Sequence, residues 1–353
     1  MRIAVAERLR PFSHIPGTCF LLPGSSLRFQ AFPALLRIHD LAEKEPRFIA
    51  EIPLDVTGPV KDFTIMQDLE KGLLRIWGHT AKGFMRYRIS ARPESPEGFA
   101  IAMEKFPDDM TNHSEYGNAP STYIPPSIDR LSLGSQKAQD WNLMLRRRDL
   151  AEILPLWFRL GQLIPNAAQS IAEGTAMLLQ FCRKSIESQK RVEICSAFND
   201  LFSAGFECGL SPRLIDEQHQ GYHLPPLTIK NAAGGSPLSL LTEGASLIRQ
   251  LFVQFQDLHI HVLPVLPPDF HCGRLIQTQC GTAGVMDLEW SKHLTRRMTF
   301  TAQIEGQLQF HFQKELRRFR LRRNQQDRGQ TINCNEPIDV HAGESYYFDR
   351  FEK

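Results

Sequence analysis

The sequence predicts a multidomain protein of mixed α and β structure, in the order strands, helices, strands. Three observations predict this order: short alternating apolar runs fill the first hundred positions, helical spacing begins at about Gln136, and alternation returns from His259 onward. We expect an N-terminal antiparallel β-sandwich over 1–103, a linker over 104–135, a central helical domain over 136–257 and a small C-terminal β-sandwich over 258–353.

The strand pattern is clearest near the N-terminus. Apolar and polar residues alternate there in short runs, each bounded by Gly, Pro, Asp or Lys turn signals. These runs are Leu35–His39, Arg47–Ile52, Gly72–Trp77 and Gly83–Ile89. The segment from Glu104 to Ser135 is rich in Pro, Asn, Ser and Asp and has no periodicity, which predicts a linker lying over a surface.

Helical spacing dominates the middle of the chain. Apolar rows run from Trp141 to Leu163, and Pro155 and Pro165 are expected to break them. Further helices are expected at 167–185, 192–205 and 238–256. At about 10–14 residues per helix, the span holds five to seven helices. The Gly- and Pro-rich stretch 207–237 is where we expect ligand-contacting residues to gather.

Composition excludes several classes of protein. Forty-one basic and thirty-nine acidic residues give a net charge of +2, too small for a general nucleic-acid or membrane-surface field. The N-terminus has no signal-peptide core, and no apolar run is long enough to span a membrane, so we expect a cytoplasmic protein without a membrane partner.

Cofactor and metal motifs are also missing. The seven cysteines are widely spread without a C-x-x-C pair, which indicates reduced structural thiols rather than disulfides or a zinc site. The phosphate-loop, dinucleotide, zincin and nucleophile-elbow motifs do not occur, so we expect no cofactor. His259 and His261, with His271 and Cys272 nearby, lack a carboxylate at ligand spacing, so we expect no metal.

Two segments near the C-terminus carry a family resemblance. The first runs from His259-Ile-His-Val-Leu-Pro-Val-Leu-Pro267 through Gly273-Arg-Leu275 to Met286-Asp-Leu-Glu-Trp290, and the second is Asp339-Val-His-Ala-Gly-Glu-Ser-Tyr-Tyr-Phe348. In this order, they resemble the C-terminal sandwich of fucosidase-like glycoside hydrolases of family 95 and their family 65 relatives. The resemblance covers about 100 residues closely and the remainder through layout alone.

The resemblance implies an inverting hydrolase with an N-terminal super-sandwich and a toroid of twelve paired helices. The helical span is too short for that toroid, so it would be partial unless a homodimer completes it. The resemblance also implies a catalytic Asp ahead of the helix that enters the C-terminal sandwich. Aligning either Gly234-Gly-Ser236 or Gly244-Ala-Ser246 with the family's glycine turn supplies no Asp at that position.

Inverting hydrolysis needs an acid and a base whose carboxyl groups lie about 6.5–9.5 Å apart. Glu243, beside the expected helix start at Gly244, is the candidate base. Glu207 and Glu217 are candidate acids, with Glu173 and Asp216 as further choices. For each of these carboxylates we favour the simpler interpretation, a charge at a helix start for Glu243 and a solvated helix or loop charge for the others.

Sugar binding calls for flat aromatic faces beside directed polar groups. The candidates are Asp140, Trp141, Tyr222, His223 and Trp77. The alternative for Trp141 and Trp157 is a position in the helical core, because they lie sixteen residues apart at near-helical phase.

The dense basic run Arg317–Arg323 allows two interpretations: a nucleic-acid-binding strand, or a charged edge strand that blocks aggregation. We favour the edge strand and do not expect a nucleic-acid partner. Three functions therefore remain open. They are a divergent glycosidase that uses Glu243, a non-catalytic glycan-binding or scaffold module, and a nucleic-acid-binding protein that uses this strand.

Overall fold

The computed structural model describes residues 3–5, 8–56, 58–105, 129–135, 137–165, 173–216, 235–324 and 326–353. Within these ranges the chain forms twenty β-strands in four sheets and five α-helices. The predicted mixture of α and β structure with antiparallel sheets is confirmed. No helix in the described ranges combines the length and apolarity needed to cross a bilayer.

Two antiparallel sheets form the N-terminal part. One contains, in spatial order, β1 (Phe12–Ser13), β6 (Lys61–Asp68), β7 (Leu73–Thr80), β8 (Gly83–Ala91) and β9 (Phe99–Lys105), and the other contains β2 (Thr18–Leu21), β3 (Leu27–Phe32), β4 (Leu35–Asp40) and β5 (Arg47–Pro53). Apolar side chains from both sheets, among them Phe29, Ile38, Ile65 and Tyr87, belong to one buried cluster. All four alternating runs form strands, and β4, β7 and β8 each bury one face in this cluster. Strand β5 contributes only Ile52 to the cluster and exposes Phe48 and Ile49.

The helices are α1 (Trp141–Arg147), α2 (Leu150–Leu163), α3 (Met177–Glu187), α4 (Arg191–Gly205) and α5 (Ser239–Phe252), with 3₁₀ turns at Gly174–Ala176 and Cys208–Leu210. Helices α2 and α5 pack closely, since a Cβ at Gly161 would lie 2.3 Å from the Leu241 carbonyl oxygen. The glycine permits an approach that no larger residue would allow.

Three helix boundaries differ from the prediction. The helix expected at 167–185 is α3, which begins at Met177, after the 3₁₀ turn at Gly174–Ala176. Helix α2 continues through Pro155, which is buried with its neighbours Leu154 and Leu156, so packing offsets the missing N–H. Helix α5 ends at Phe252, not at 256, and Val253–Gln256 forms β11. The backbone of β11 pairs with β12 (His259–Val262). The residues of β12 follow the helix in the sequence, so the apolar spacing of the helix could not predict this pairing.

The C-terminal part also has two sheets. One contains β10 (Arg130–Ser132), β13 (Cys272–Cys280), β14 (Gly284–Ser291), β15 (Leu294–Ala302), β20 (Ser345–Glu352), β17 (Arg318–Arg322) and β18 (Gln330–Asn333) in spatial order. The other orders β11, β12, β16 (Gly306–His311) and β19 (Ile338–Val340), with β12 and β16 parallel. Buried residues alternate along β14, as its sequence predicts. Helical and C-terminal side chains share one core cluster, in which Phe252 lies 5.2 Å from Trp290 between ring centroids.

The segment predicted as a linker contains structure at both described ends. Residues Glu104 and Lys105 complete β9, and Arg130–Ser132 forms β10, an edge strand that pairs with β13. Three residues are too few for alternation to be visible in a sequence. The remainder of the linker, 106–128, lies outside the described residues.

Candidate functional site

Glu243 is the fifth residue of α5 and therefore lies beyond its start, since the helix begins at Ser239. Its Oε2 accepts a hydrogen bond from Arg183 Nη2 of α3 at 3.2 Å, and its side chain is 23% exposed. Its Oε1 is buried and has no hydrogen-bond partner among the described residues. Glu243 is thus a partly buried carboxylate held on one side by a guanidinium.

The described candidate acids are also ion-paired. Glu207 lies 3.3 Å from Arg28, Glu173 lies 2.8 Å from Lys44, and Asp216 lies 2.7 Å from Arg213. Glu217 lies outside the described residues. A guanidinium or ammonium beside a carboxylate stabilises its charge and is the usual arrangement of a structural ion pair.

The aromatic candidates occupy different environments. Trp141 is 1% exposed and packs edge-on against Phe202, while Asp140 caps α1 by accepting from the Asn142 and Leu143 N–H groups. Trp157 is fully buried and donates to the Leu240 carbonyl at 3.1 Å. The core position is the alternative that the sequence offered for both tryptophans, whereas the capping role of Asp140 was not predicted.

Trp77 is half-buried on β7, where it pairs with Thr64 and Arg86, so part of its ring faces solvent. Tyr222 and His223 lie outside the described residues. The structure therefore describes no shared cleft that combines these aromatic rings with Glu243 or Glu207.

A polar cavity of about 560 Å³ lies beside the C-terminal end of α5, where β11, β12 and β13 meet. Its volume is in the range of small-molecule sites. Four glutamines contribute to its lining, from three different elements: Gln250 on α5, Gln254 and Gln256 on β11, and Gln279 on β13. The remaining lining residues are Ser246, Arg249, Val253, Phe255, His261 and Gly281. We call this the glutamine cavity.

Hydrogen bonds orient several of these side chains. Gln254 Nε2 donates to the Gln250 carbonyl at 3.1 Å, and Gln279 Nε2 donates to Gln303 Oε1 at 2.8 Å. Arg249 is the one charged residue in the lining, and its Nε donates to Asp129 at 2.7 Å. Because this guanidinium is already neutralised by a buried partner, the cavity is polar with little net charge.

An apolar surface completes the glutamine cavity. The half-buried Phe255 ring lies directly over Gly281, since a Cβ there would come within 2.2 Å of its Cδ1. His261 also lines the cavity, and burial, followed by the nearby His259, lowers the pKa of its imidazole below 6.5. The lowered pKa favours the neutral imidazole, which has one donor and one acceptor nitrogen.

A second cavity of about 770 Å³ has a basic lining that includes Arg8, Arg10, Lys137 and Arg274. Most of these charges are paired: Arg10 with buried Asp68 at 3.0 Å, Lys137 with buried Glu152 at 2.8 Å, and Arg274 with Glu289 at 3.1 Å. This lining is an ion-pair network that joins several segments of the fold.

The arginine run lies on β17, but β17 is not an edge strand. It pairs with β18 on one side and β20 on the other, so the expectation of a charged edge is wrong. Asp349 of β20 binds Arg320 and Arg322 at 2.7 and 2.6 Å, and Glu352 binds Arg318 at 2.6 Å. Acidic residues of the neighbouring strand explain the cluster of arginines on β17.

The histidines that the sequence singled out belong to a ring stack. His259 Nδ1 lies 2.8 Å from His311 Nε2, and the His261 ring stacks on that of His311. His271 lies elsewhere, where its Nε2 is 3.6 Å from Cys272 Sγ. Across the described part of the chain, no group of three or more His, Cys, Asp or Glu side chains is arranged to hold a metal.

Sequence reasoning missed the glutamine cavity. The available signal was the spacing of Gln250 and Gln254 on one helical face, followed by alternating Gln254 and Gln256. That signal is weak, because glutamine is common on solvated surfaces. No protein-family model and no curated protein sequence matches this chain.

Proposed function

We propose that this chain is a carbohydrate-binding protein with the layout of a family 95 or 65 glycoside hydrolase, and that its glutamine cavity holds a neutral glycan. One observation carries the proposal: four glutamine side chains, a neutral imidazole and a half-exposed phenyl ring line one cavity of about 560 Å³. We also propose that the two N-terminal sheets form one sandwich and the two C-terminal sheets form another. The helices then form a partial toroid that a second copy of the chain completes.

The chemistry of the lining favours an uncharged polyhydroxylated ligand. Each glutamine amide presents both donor and acceptor groups, which matches the alternating demands of sugar hydroxyls. Phe255 supplies a flat apolar face against which the C–H face of a pyranose can pack. An anionic ligand is disfavoured because Arg249, the cation in this lining, is committed to Asp129.

The candidate carboxylates support binding without cleavage. Glu243, Glu207 and Glu173 each lie against a basic side chain, whereas inverting hydrolysis needs one carboxylic acid free to donate its proton. Such ion pairs are expected in a protein that keeps the fold of a glycosidase while its acidic residues stabilise the structure and do not catalyse hydrolysis.

Glycan-array screening of the purified full chain, followed by calorimetry with the neutral oligosaccharides that bind, tests the proposal. Gln256→Ala and Gln279→Ala each remove an exposed cavity amide, so we expect affinity to fall about tenfold, equivalent to roughly 1.4 kcal/mol. Gln330→Ala on β18, an exposed glutamine outside the cavity, is the matched control and should leave affinity unchanged. Absence of glycan binding, or equal binding by all variants, contradicts the proposal.

One observation favours hydrolysis as a second candidate, namely the buried and unpartnered Oε1 of Glu243. Assays with aryl glycosides of several sugars separate the two candidates. Binding without turnover supports the first, while turnover that Glu243→Gln abolishes with the fold intact supports the second. Turnover that survives Glu243→Gln removes Glu243 from any catalytic role.

A further inference from the structure

Two cysteines that are 189 residues apart in the sequence meet where the N-terminal sheet contacts the helical part. Cys19 lies on β2, and Cys208 begins the 3₁₀ turn that follows α4. The Cys19 backbone N–H donates to Cys208 Sγ at 3.1 Å. The Cys19 thiol donates to the Gly17 carbonyl oxygen at 3.8 Å.

The backbones at this contact are held close together. Gly209 has φ +67°, and a Cβ there would lie 2.0 Å from the Cys19 carbonyl oxygen. The turn is also braced, because Glu207 N–H donates to Ser211 O at 2.9 Å and Arg213 N–H donates to Gly205 O at 2.8 Å. A disulfide requires two backbones to lie close together, as they do here.

The surroundings distinguish the two sulfurs. The neighbouring Cys19 side chain, opposed by burial and assisted by the Cys19 N–H and Arg28, lowers the pKa of the Cys208 thiol. The neighbouring Cys208 side chain, followed by burial, raises the pKa of the Cys19 thiol. Cys208 is therefore the more acidic and more nucleophilic of the two sulfurs, and Cys19 is the thiol beside it.

The other cysteines with shifted pKa values differ from Cys208. Burial raises the thiol pKa of Cys182, Cys195, Cys280 and Cys334, which keeps these sulfurs protonated and slow to react. The fold thus contains one hydrogen-bonded pair of cysteines with a reactive member, beside the Arg28–Glu207 ion pair.

We propose that Cys19 and Cys208 are a redox-active dithiol, which hydroperoxides oxidise to a disulfide that joins the N-terminal sheet to the helical part. This site is independent of the glutamine cavity. The Cys208 thiolate attacks a peroxide oxygen, so that an S–O bond forms, the O–O bond breaks, and hydroxide leaves and takes a proton to become water.

The Cys19 sulfur then attacks Cys208 sulfenic acid. The S–S bond forms as the S–O bond breaks, and the Cys19 proton leaves with the oxygen as a second water. Overall, two thiols lose two electrons and hydrogen peroxide is reduced to two waters. A dithiol reductant reverses the modification by thiol–disulfide exchange.

To test the proposal, the folded full chain is treated with hydrogen peroxide at pH 7, alkylated, and digested with a glutamate-specific protease. Cleavage after glutamate leaves Cys19 as the one cysteine of the peptide 8–43 and Cys208 as the one cysteine of the peptide 208–217, so a cross-link between these two peptides identifies both residues. We expect a Cys19–Cys208 peptide that dithiothreitol removes, formed about tenfold faster than any product of Cys182 or Cys280, because its thiolate fraction is larger.

Variants separate the two roles. In Cys19→Ser, Cys208 should accumulate as a sulfenic acid trapped by dimedone, and in Cys208→Ser neither adduct nor cross-link should form. Cys334→Ser is the control and should behave as wild type. The proposal is overturned if wild-type protein, still folded by circular dichroism, forms no Cys19–Cys208 peptide under excess peroxide, or if Cys208 pairs with another cysteine. The wild-type result stands even if a variant fails to fold.

Discussion

The imidazole rings of His261 and His311 are nearly parallel, with centroids 4.4 Å apart and planes inclined by 13°. They lie on β12 and β16, which pair in parallel, and His259 extends the stack through its 2.8 Å contact between Nδ1 and His311 Nε2. One nitrogen of that contact must donate a proton and the other must accept it, so the contact requires at least one neutral ring.

Because of this stack, the free energy of unfolding should decrease as the pH becomes acidic. Burial, followed by neighbouring histidine charge, lowers the pKa of His261 and of His311 below 6.5, so folding favours their neutral forms. Their contribution to stability is complete above about pH 6.5 and declines as the pH falls through the lowered values. Urea denaturation between pH 8 and 5 should show this decline. The double variant His261→Gln/His311→Gln should give a flatter curve, whereas His79→Gln, an exposed control on β7, should retain the wild-type slope.

Asp349→Asn should destabilise the C-terminal sheet. Asp349 is 7% exposed and accepts hydrogen bonds from Arg320 and Arg322, so its neutralisation removes the carboxylate charge that both guanidinium groups bind. We expect a loss of about 3 kcal/mol in the free energy of unfolding. Glu352→Gln is the matched control: Glu352 also binds an arginine of β17, but it is half exposed and should cost about 0–1 kcal/mol. Equal losses in the two variants would contradict this account.

The same aspartate should contribute to acid sensitivity. Burial opposes its charge, but hydrogen bonds and attraction from the two arginines outweigh burial and lower the pKa of Asp349. The contribution of Asp349 to the free energy of unfolding is therefore present above the pKa of an unfolded-state aspartate, about 3.9, and is lost as the pH falls below that pKa. Wild-type and Asp349→Asn stabilities, compared from pH 5 to pH 2, should converge in the acid range.

Gly161→Ala should weaken the contact between α2 and α5. In an isolated helix this change would be favourable by about 1 kcal/mol, but here the new methyl group would meet the Leu241 carbonyl at 2.3 Å. We expect a net loss of about 1–3 kcal/mol, measured as a lower thermal midpoint. At Gly205 the nearest atoms are leucine methyl groups at 3.2 Å and beyond, which can move, so Gly205→Ala should cost less.

Predictions from local patterns were the most successful. The alternation along Met286, Leu288 and Trp290 is visible in β14 as a row of buried side chains, because a period of two places them on one face. The end of α5 was mispredicted, since Val253–Gln256 forms a strand only through its pairing with β12. The same limit applies to β10, whose three residues gain their structure from β13.

Site residues were harder to predict than strands. The sequence identified Glu243 and Glu207 as carboxylates of interest, but it could not supply their partners, Arg183 and Arg28, which come from distant parts of the chain. The glutamine cavity likewise assembles side chains from α5, β11 and β13. A residue type and its spacing describe one element, whereas a cavity depends on how several elements pack.

The sequence by itself determined the order of strands and helices, the positions that face the core, and the absence of a strong overall charge, because hydrophobic periodicity and composition are properties of neighbouring residues. Only the tertiary structure decided that Cys19 meets Cys208, that His259 meets His311, and that β17 lies inside its sheet. Those contacts depend on the packing of the common core, which brings together segments that share no local pattern.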